Sequence, residues 1–166
     1  MAEEIKKKRV MTRVGDIFCV EFQDRKLYLQ FIALDMSELN STTIRVFKKE
    51  YPLDYVFCAE EVVKGDVAFY VHTSLQPGLK QGLWTKVGKS NDVGDLSGIL
   101  FRRTSDFSPQ RLKSYRWWVG GINQEYTMIG ELTEEYERIT NYGGVWPPSL
   151  VVETIKLRRY PYSRPY

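Results

Sequence analysis

Apolar and polar residues alternate through the first third of the chain. After Gly15-Asp16, the run Ile17-Phe18-Cys19-Val20-Glu21-Phe22 puts Phe18, Val20 and Phe22 on one side and Ile17, Cys19 and Glu21 on the other, the two-residue period of a strand. Gln23 to Lys26 is a polar turn, and Leu27 to Leu34 is rich in apolar residues on both sides, so 16–22 and 27–34 read as a hairpin. Met36 to Thr42 is a loop of Ser, Glu and Asn. Residues 43–47 alternate again, with Ile44 and Val46 sharing a face, which completes a three-stranded meander. The opening pattern has an echo in Lys64-Gly65-Asp66-Val67-Ala68-Phe69-Tyr70-Val71, where a second Gly-Asp turn launches a strand over 66–72. Further strands are expected at 99–103 and at 115–119, the latter ending on Gly120-Gly121.

The stretch 74–98 is the least regular. Ser74 to Gly82 and Gly88 to Gly98 are rich in Gly, Ser, Asn and Asp and read as loops, with a short strand carrying Trp84 at 83–87. The C-terminal third turns helical. Thr133 suits an N-cap, Glu134 and Glu135 suit the first turn, Tyr136 and Ile139 share a face, and Gly143-Gly144 closes a helix over 134–142. Pro147-Pro148 opens a second one over 148–157, with Leu150, Thr154 and Leu157, together with Val151 and Ile155, along one stripe. Its β-branched content fits a strand as well. The whole reads as an α+β chain, mainly β, built on an antiparallel and partly barrel-like sheet with two short C-terminal helices. A basic flexible arm at 1–13, one globular domain at 14–158 and an extended tail at 159–166 complete the expected layout.

Composition narrows the class. With 166 residues, 43% of them hydrophobic and 27% charged, the chain is long enough to bury a core without staples, and collagen, coiled-coil and disordered readings are excluded. The net charge of +3 is unevenly spread: residues 1–13 carry +3, residues 156–166 carry +4, and 14–155 are left with −4. The body therefore shows no basic stripe of the kind that grips a phosphate backbone. No apolar stretch follows the charges at the N-terminus and no apolar run approaches 18 residues, so neither a secretory signal nor a membrane span is expected. Cys19 and Cys58 both sit in apolar, strand-like sequence and read as buried thiols in a reducing cytoplasm.

Candidate chemistry is sparse. Gly82 is followed by five residues before Gly88-Lys89-Ser90, one too many for a phosphate-binding loop. His72 is the sole histidine and has no second ligand at metal-binding spacing, so it reads as a strand-end histidine bonded to a neighbour. Neither cysteine lies at a helix N-terminus, where a thiolate is stabilised. Glu60-Glu61 and Glu134-Glu135 are sequence neighbours, whose side chains diverge on helix and strand alike. No catalytic residue, metal or cofactor is expected, and the chain reads as a non-enzyme. Aromatic residues are the richer signal: Tyr115, Trp117, Trp118 and Trp146 are the candidate partner-binding residues. In a strand Trp117 and Trp118 point to opposite faces, so one is expected in the core and the other outside it.

Two patches carry a resemblance. Val14-Gly15-Asp16-Ile17-Phe18-Cys19-Val20-Glu21-Phe22 with Tyr28-Leu29-Gln30-Phe31-Ile32-Ala33-Leu34, and Gly144-Val145-Trp146-Pro147-Pro148-Ser149-Leu150, resemble the start and the C-terminal part of the immunity protein 26 family. That resemblance implies a non-catalytic cytoplasmic protein that binds and neutralises a cognate bacterial polymorphic toxin. A second resemblance has a different consequence. Lys64-Gly65-Asp66-Val67-Ala68-Phe69-Tyr70-Val71-His72-Thr73-Ser74 is similar to a strand of PUA-like barrels, which implies a nucleic-acid-binding module that reads a modified or flipped base. The expected partner is a toxin domain in the first reading and a nucleic acid only in the second; a membrane is expected in neither.

Overall fold

The computed structural model describes residues 8–108 and 110–166. Most of the expected basic arm, residues 1–7, lies outside the described residues. The elements are β1 (Asp16–Glu21), β2 (Lys26–Asp35), β3 (Ser41–Phe47), α1 (Ala59–Val62), β4 (Val67–Thr73), α2 (Leu75–Lys80), β5 (Thr85–Lys89), β6 (Leu100–Thr104), β7 (Trp117–Gly121), β8 (Thr127–Gly130), α3 (Glu134–Ile139), β9 (Thr140–Tyr142), β10 (Val145–Trp146) and α4 (Pro148–Leu157). They form an α+β architecture dominated by strands. One sheet has the order β10-β4-β3-β2-β1-β5 and the other β8-β7-β6-β9. Both sheets are open, and neither closes into a barrel. Pairing is antiparallel except at one edge of each sheet, where β10 runs parallel to β4 and β9 parallel to β6.

Alternation along the meander sorts its side chains into two layers. Phe18, Val20, Leu27, Leu29, Phe31, Ile44, Val46 and Val71 face one way and are roofed by Leu75 of α2, by Trp84 and Trp146, and by Val151 and Ile155 of α4. On the opposite side Ile17, Cys19 and Tyr28 pack on Phe47, Tyr51, Val62 and Val63. Farther along β2, Ile32 is the extra residue of a bulge, and with Ala33 it meets Ile99 and Phe101, which docks the second sheet on the first. Burying side chains of this size contributes roughly 1.5–3 kcal/mol each.

A polar interlock joins the sheets at the β2–β3 and β7–β8 turns. Asp35 is fully buried and accepts from Ser37 N–H (3.0 Å), Ser37 Oγ (2.5 Å) and Asn123 N–H (3.0 Å). Asn123 in turn accepts from Met36 N–H (2.7 Å) and donates to the Leu34 carbonyl (3.1 Å).

Several expectations need correcting. Residues 75–80 are helical rather than looped. Pro77 falls in the first turn, where its missing N–H has no partner to lose, and Gly78 leaves room for the Trp84 ring, which a Cβ would meet at 2.1 Å. The strand after it is 85–89 and pairs with β1. β7 starts at Trp117, leaves Tyr115 in the preceding loop, and continues through Gly120-Gly121 instead of stopping there, because the Tyr126 ring lies over Gly120 at 2.8 Å from a Cβ position. The helix from Glu134 ends at Ile139, since Thr140 turns extended to pair with β6; no α3 side chain is buried, so the Tyr136–Ile139 face does not enter a core. Residues 127–130 form a strand that periodicity does not reveal. Residues 148–157 are a helix, as the Pro start and apolar stripe indicate. Cys19 is buried, but Cys58 is exposed and, against the expectation that neither cysteine lies at a helix N-terminus, is the N-cap of the four-residue α1, because the segment 52–58 runs outside the sheet. The two Gly-Asp turns also differ: Gly15 has φ +98° and Asp16 is buried against Lys86 Nζ (2.8 Å), whereas Gly65 has no positive φ and Asp66 is exposed.

Candidate functional site

The chain passes from one sheet to the other through Tyr142-Gly143-Gly144-Val145-Trp146. Gly144 takes φ +82°, and Gly143 sits where a Cβ would lie 2.8 Å from the Arg102 carbonyl, which accepts its N–H at 2.7 Å. This turn fixes Tyr142 at the edge of the second sheet beside β6 and Trp146 at the edge of the first beside β4. The Thr73 hydroxyl holds Trp146 by donating to its carbonyl (2.8 Å). Pro147 and Pro148 then start α4.

A cleft of about 530 Å³ opens between these edges, walled by β3, β4, β9, the C-terminal end of α4 and Tyr160. Its interior is aromatic. The Trp146 ring lies 6.1 Å from Phe69, 6.4 Å from Tyr142 and 5.2 Å from Tyr160, centroid to centroid. A second cavity of about 290 Å³ adjoins it and shares Arg102, Tyr142 and Tyr160, with Trp117 and Arg164 on its far side.

Arginine is the other theme. Arg102, only 6% exposed, donates from Nη1 to the carbonyls of Glu137 (3.2 Å) and Thr140 (3.0 Å) and to the Thr140 hydroxyl (2.9 Å), and its guanidinium lies 4.3 Å from the Tyr142 ring centroid. Arg164, from the tail, lies 3.9 Å from Tyr160, 4.2 Å from Tyr142 and 5.6 Å from Trp146. Burial pulls both guanidinium pKa values below their usual range. Residues 159–166 adopt no helix or strand. The tail is laid against the loop before β7 by Tyr166, whose N–H donates to Leu112 (2.9 Å) and whose carbonyl accepts from Ser114 (2.7 Å). The basic tail thus folds onto the acidic body. Lys48, Arg138, Arg158 and Arg159 line the cleft together with Arg102, against Glu50 and Glu137. The separation of charge along the sequence is not a separation in space, and a basic patch absent from the sequence pattern exists on the fold.

The four aromatic candidates do not form one surface. Trp146 (6% exposed) is a wall of the cleft and Trp117 (3% exposed) a wall of the adjoining cavity, where they flank the arginines. Trp118, on the opposite face of β7, is half-buried and donates to Ser105 Oγ (3.4 Å), while Tyr115 is 52% exposed. Met128 is the register partner of Trp118, and the exposed Phe107 and Leu112 belong, like Tyr115, to the loop that leads into β7, to which the tail end at Tyr166 hydrogen-bonds. Asp106 organises the loop. Its Oδ1 accepts from the hydroxyls of Ser114 and Thr104 (2.8 Å for the latter), its Oδ2 accepts from Tyr115 N–H (3.2 Å), and Arg111 lies at 3.5 Å. The Ser114 hydrogen bond above all, helped by these others, holds the carboxyl at about 2, well below its ordinary value. Arg102, Tyr142, Tyr160 and Arg164 escape sequence reasoning, because only the fold-back of the tail brings them together.

The remaining chemical candidates are structural. His72 is fully buried, with Nε2 2.9 Å from Asp35 Oδ2 and its ring 4.2 Å from Phe101. Burial pushes the Asp35 carboxyl up, but bonds from Ser37, Asn123 and His72 outweigh it and hold the group below its usual range. Gly88 and Lys89 lie in β5, paired with Ile17 and Asp16, so 82–90 is no phosphate cradle. Among the described residues no group of three or more His, Cys, Asp or Glu is placed to hold a metal ion, and no helix is long and apolar enough to cross a membrane. Comparison with family models, with curated proteins and with solved structures finds no match to this chain.

Proposed function

We propose that the chain is a non-catalytic immunity protein of the bacterial cytoplasm that binds and neutralises a cognate polymorphic toxin. The observation that carries this reading is the pair of accessible aromatic side chains at β7, Tyr115 in the loop before it and Trp118 on the face opposite Trp117. Met128 and Arg103 stand opposite the half-buried Trp118 in the strand pairings, and Lys113 lies over the Tyr115 ring. Aromatic anchors rimmed by charged side chains supply most of the binding energy at protein interfaces. The resemblance of the opening hairpin and of Gly144 to Leu150 to immunity proteins supports the same reading. So does the structural use of the sole histidine, which is locked inside the fold.

The test is co-purification with the product of the neighbouring gene. A stoichiometric complex with a toxin domain is expected, and Trp118→Ala is expected to weaken it about 30-fold, the loss of an aromatic hot spot. A neighbouring product that is no toxin, or a complex indifferent to both Trp118→Ala and Tyr115→Ala, overturns the reading.

One observation favours the base-binding alternative: the cleft places Trp146, Tyr142 and Tyr160 beside several cations, the combination that stacks and neutralises a nucleotide. A mobility shift with plain and modified DNA at about 50 mM salt tests it, and the absence of a shift there removes it.

A further inference from the structure

Two guanidinium groups meet at the junction of the cavities, Arg102 buried and Arg164 partly buried, and among the described residues neither is bonded to a carboxylate. Arg102 lines both cavities and spends one nitrogen on neutral oxygens of Glu137 and Thr140; Arg164 lines the smaller cavity and rests on aromatic faces alone. Both pack on the Tyr142 ring, at 4.3 and 4.2 Å, so like charges are held near one another in a desolvated place. Among the described residues no acid pairs directly with either, and the Glu137 carboxylate acts on Arg102 only through space. Glu50 is taken by Arg158 at 2.6 Å and by Arg25 at 3.4 Å, and Glu137 meets Arg102 through its backbone carbonyl. Four buried donors around the junction find no acceptor among the described residues: Nε of Arg102, Nε of Arg164, and the indole N–H groups of Trp117 and Trp146.

Buried charges are ordinarily paired, because an uncompensated one is among the most destabilising features a fold can carry. Here the excess is positive, the donors are clustered, and a cleft of about 530 Å³ leads to them past Lys48, Arg138 and Arg159. We propose that Arg102, reinforced by the charge of Arg164, is an oxyanion-binding site that takes the carboxylate or phosphate group of a small ligand. The rest of that ligand lies against Trp146, Tyr142 and Tyr160. Guanidinium suits both anions, since its planar fork pairs with two oxygens at once. The site lies apart from the Tyr115–Trp118 face and does not rest on the toxin reading.

The test uses the full chain and three probes at fixed ionic strength: inorganic phosphate, citrate and adenosine 5′-monophosphate, with chloride as the reference. Trp146 and Trp117 border the site, so tryptophan fluorescence and the melting temperature both report on it. Saturable quenching or shift, with a rise in melting temperature, is expected for at least one probe. Preference for citrate assigns a carboxylate ligand. Preference for inorganic phosphate assigns a bare phosphate, and tighter binding of the nucleotide than of phosphate assigns a base to the aromatic walls. Arg102→Gln is expected to weaken binding at least about tenfold, with Arg102→Lys in between. Arg164→Gln, which alters only the tail, is expected to weaken it about threefold and serves where the Arg102 variants fail to fold. The proposal is overturned if none of the three probes exceeds the chloride response, or if the folded variants bind as the parent does. Neither result bears on the toxin complex.

Discussion

Asp106 shows what one side chain organises. It gathers two hydroxyls, a backbone amide and an arginine, and so shapes the loop from which Tyr115 projects. Its carboxyl sits at about 2 in the folded chain, against about 3.9 for an unfolded aspartate. A lowered folded value means that the contribution to stability is complete above about pH 4 and is lost as the pH falls through about 2. The amide resonance of Tyr115, followed by NMR, should therefore titrate with a midpoint near 2. A midpoint near 4 would mean that the carboxylate is free. Asp35 works by the same logic in the interior, where three donated hydrogen bonds and the His72 ring replace water. Neither role is visible in sequence: the Asp106 partners lie within nine residues but in an irregular loop with no period to read, and Asp35 depends on His72 and Asn123, which arrive from distant turns.

At the scale of elements, legibility follows the range of the forces involved. The meander and the helix 148–157 are written in local periodicity, two residues in one and three to four in the other, and both form where the pattern puts them. The segment 75–80 is not, because Pro77 and Gly78 read as breakers until the Trp84 ring is known to need the space. Replacing Gly78 with Ala should thus destabilise the protein by about 2–3 kcal/mol, the penalty of overpacking, although alanine is the better helix former. Chemical denaturation measures it, and a neutral or stabilising effect would show that the indole moves freely. The candidate site was half legible. Residue type marks Trp117 and Trp146, but their separation from Tyr115 and Trp118 depends on which face of β7 each occupies and on a turn between sheets. Arg102 and Arg164, 62 positions apart, carry no local mark at all.

The molecule as a whole is two open sheets joined at a seam, with the last eight residues laid along it. Tyr160 and Arg164 are walls of the cavities as much as parts of a tail. Deleting residues 161–166 should expose Trp117 and Trp146 to solvent, seen as a red shift in emission and faster acrylamide quenching, with the first sheet left intact. Unchanged quenching would show that the tail contributes nothing to the enclosure. The order in which the roof of the first sheet is supplied has a further consequence for biosynthesis. Five of that sheet's six strands lie within the first 89 residues, whereas Trp146, Val151 and Ile155, which roof it, belong to the final stretch. A chain still on the ribosome therefore presents Leu29, Ile44, Val46 and Val71 only partly sheltered by α2 and Trp84, and it depends on chaperones or on rapid completion until α4 emerges.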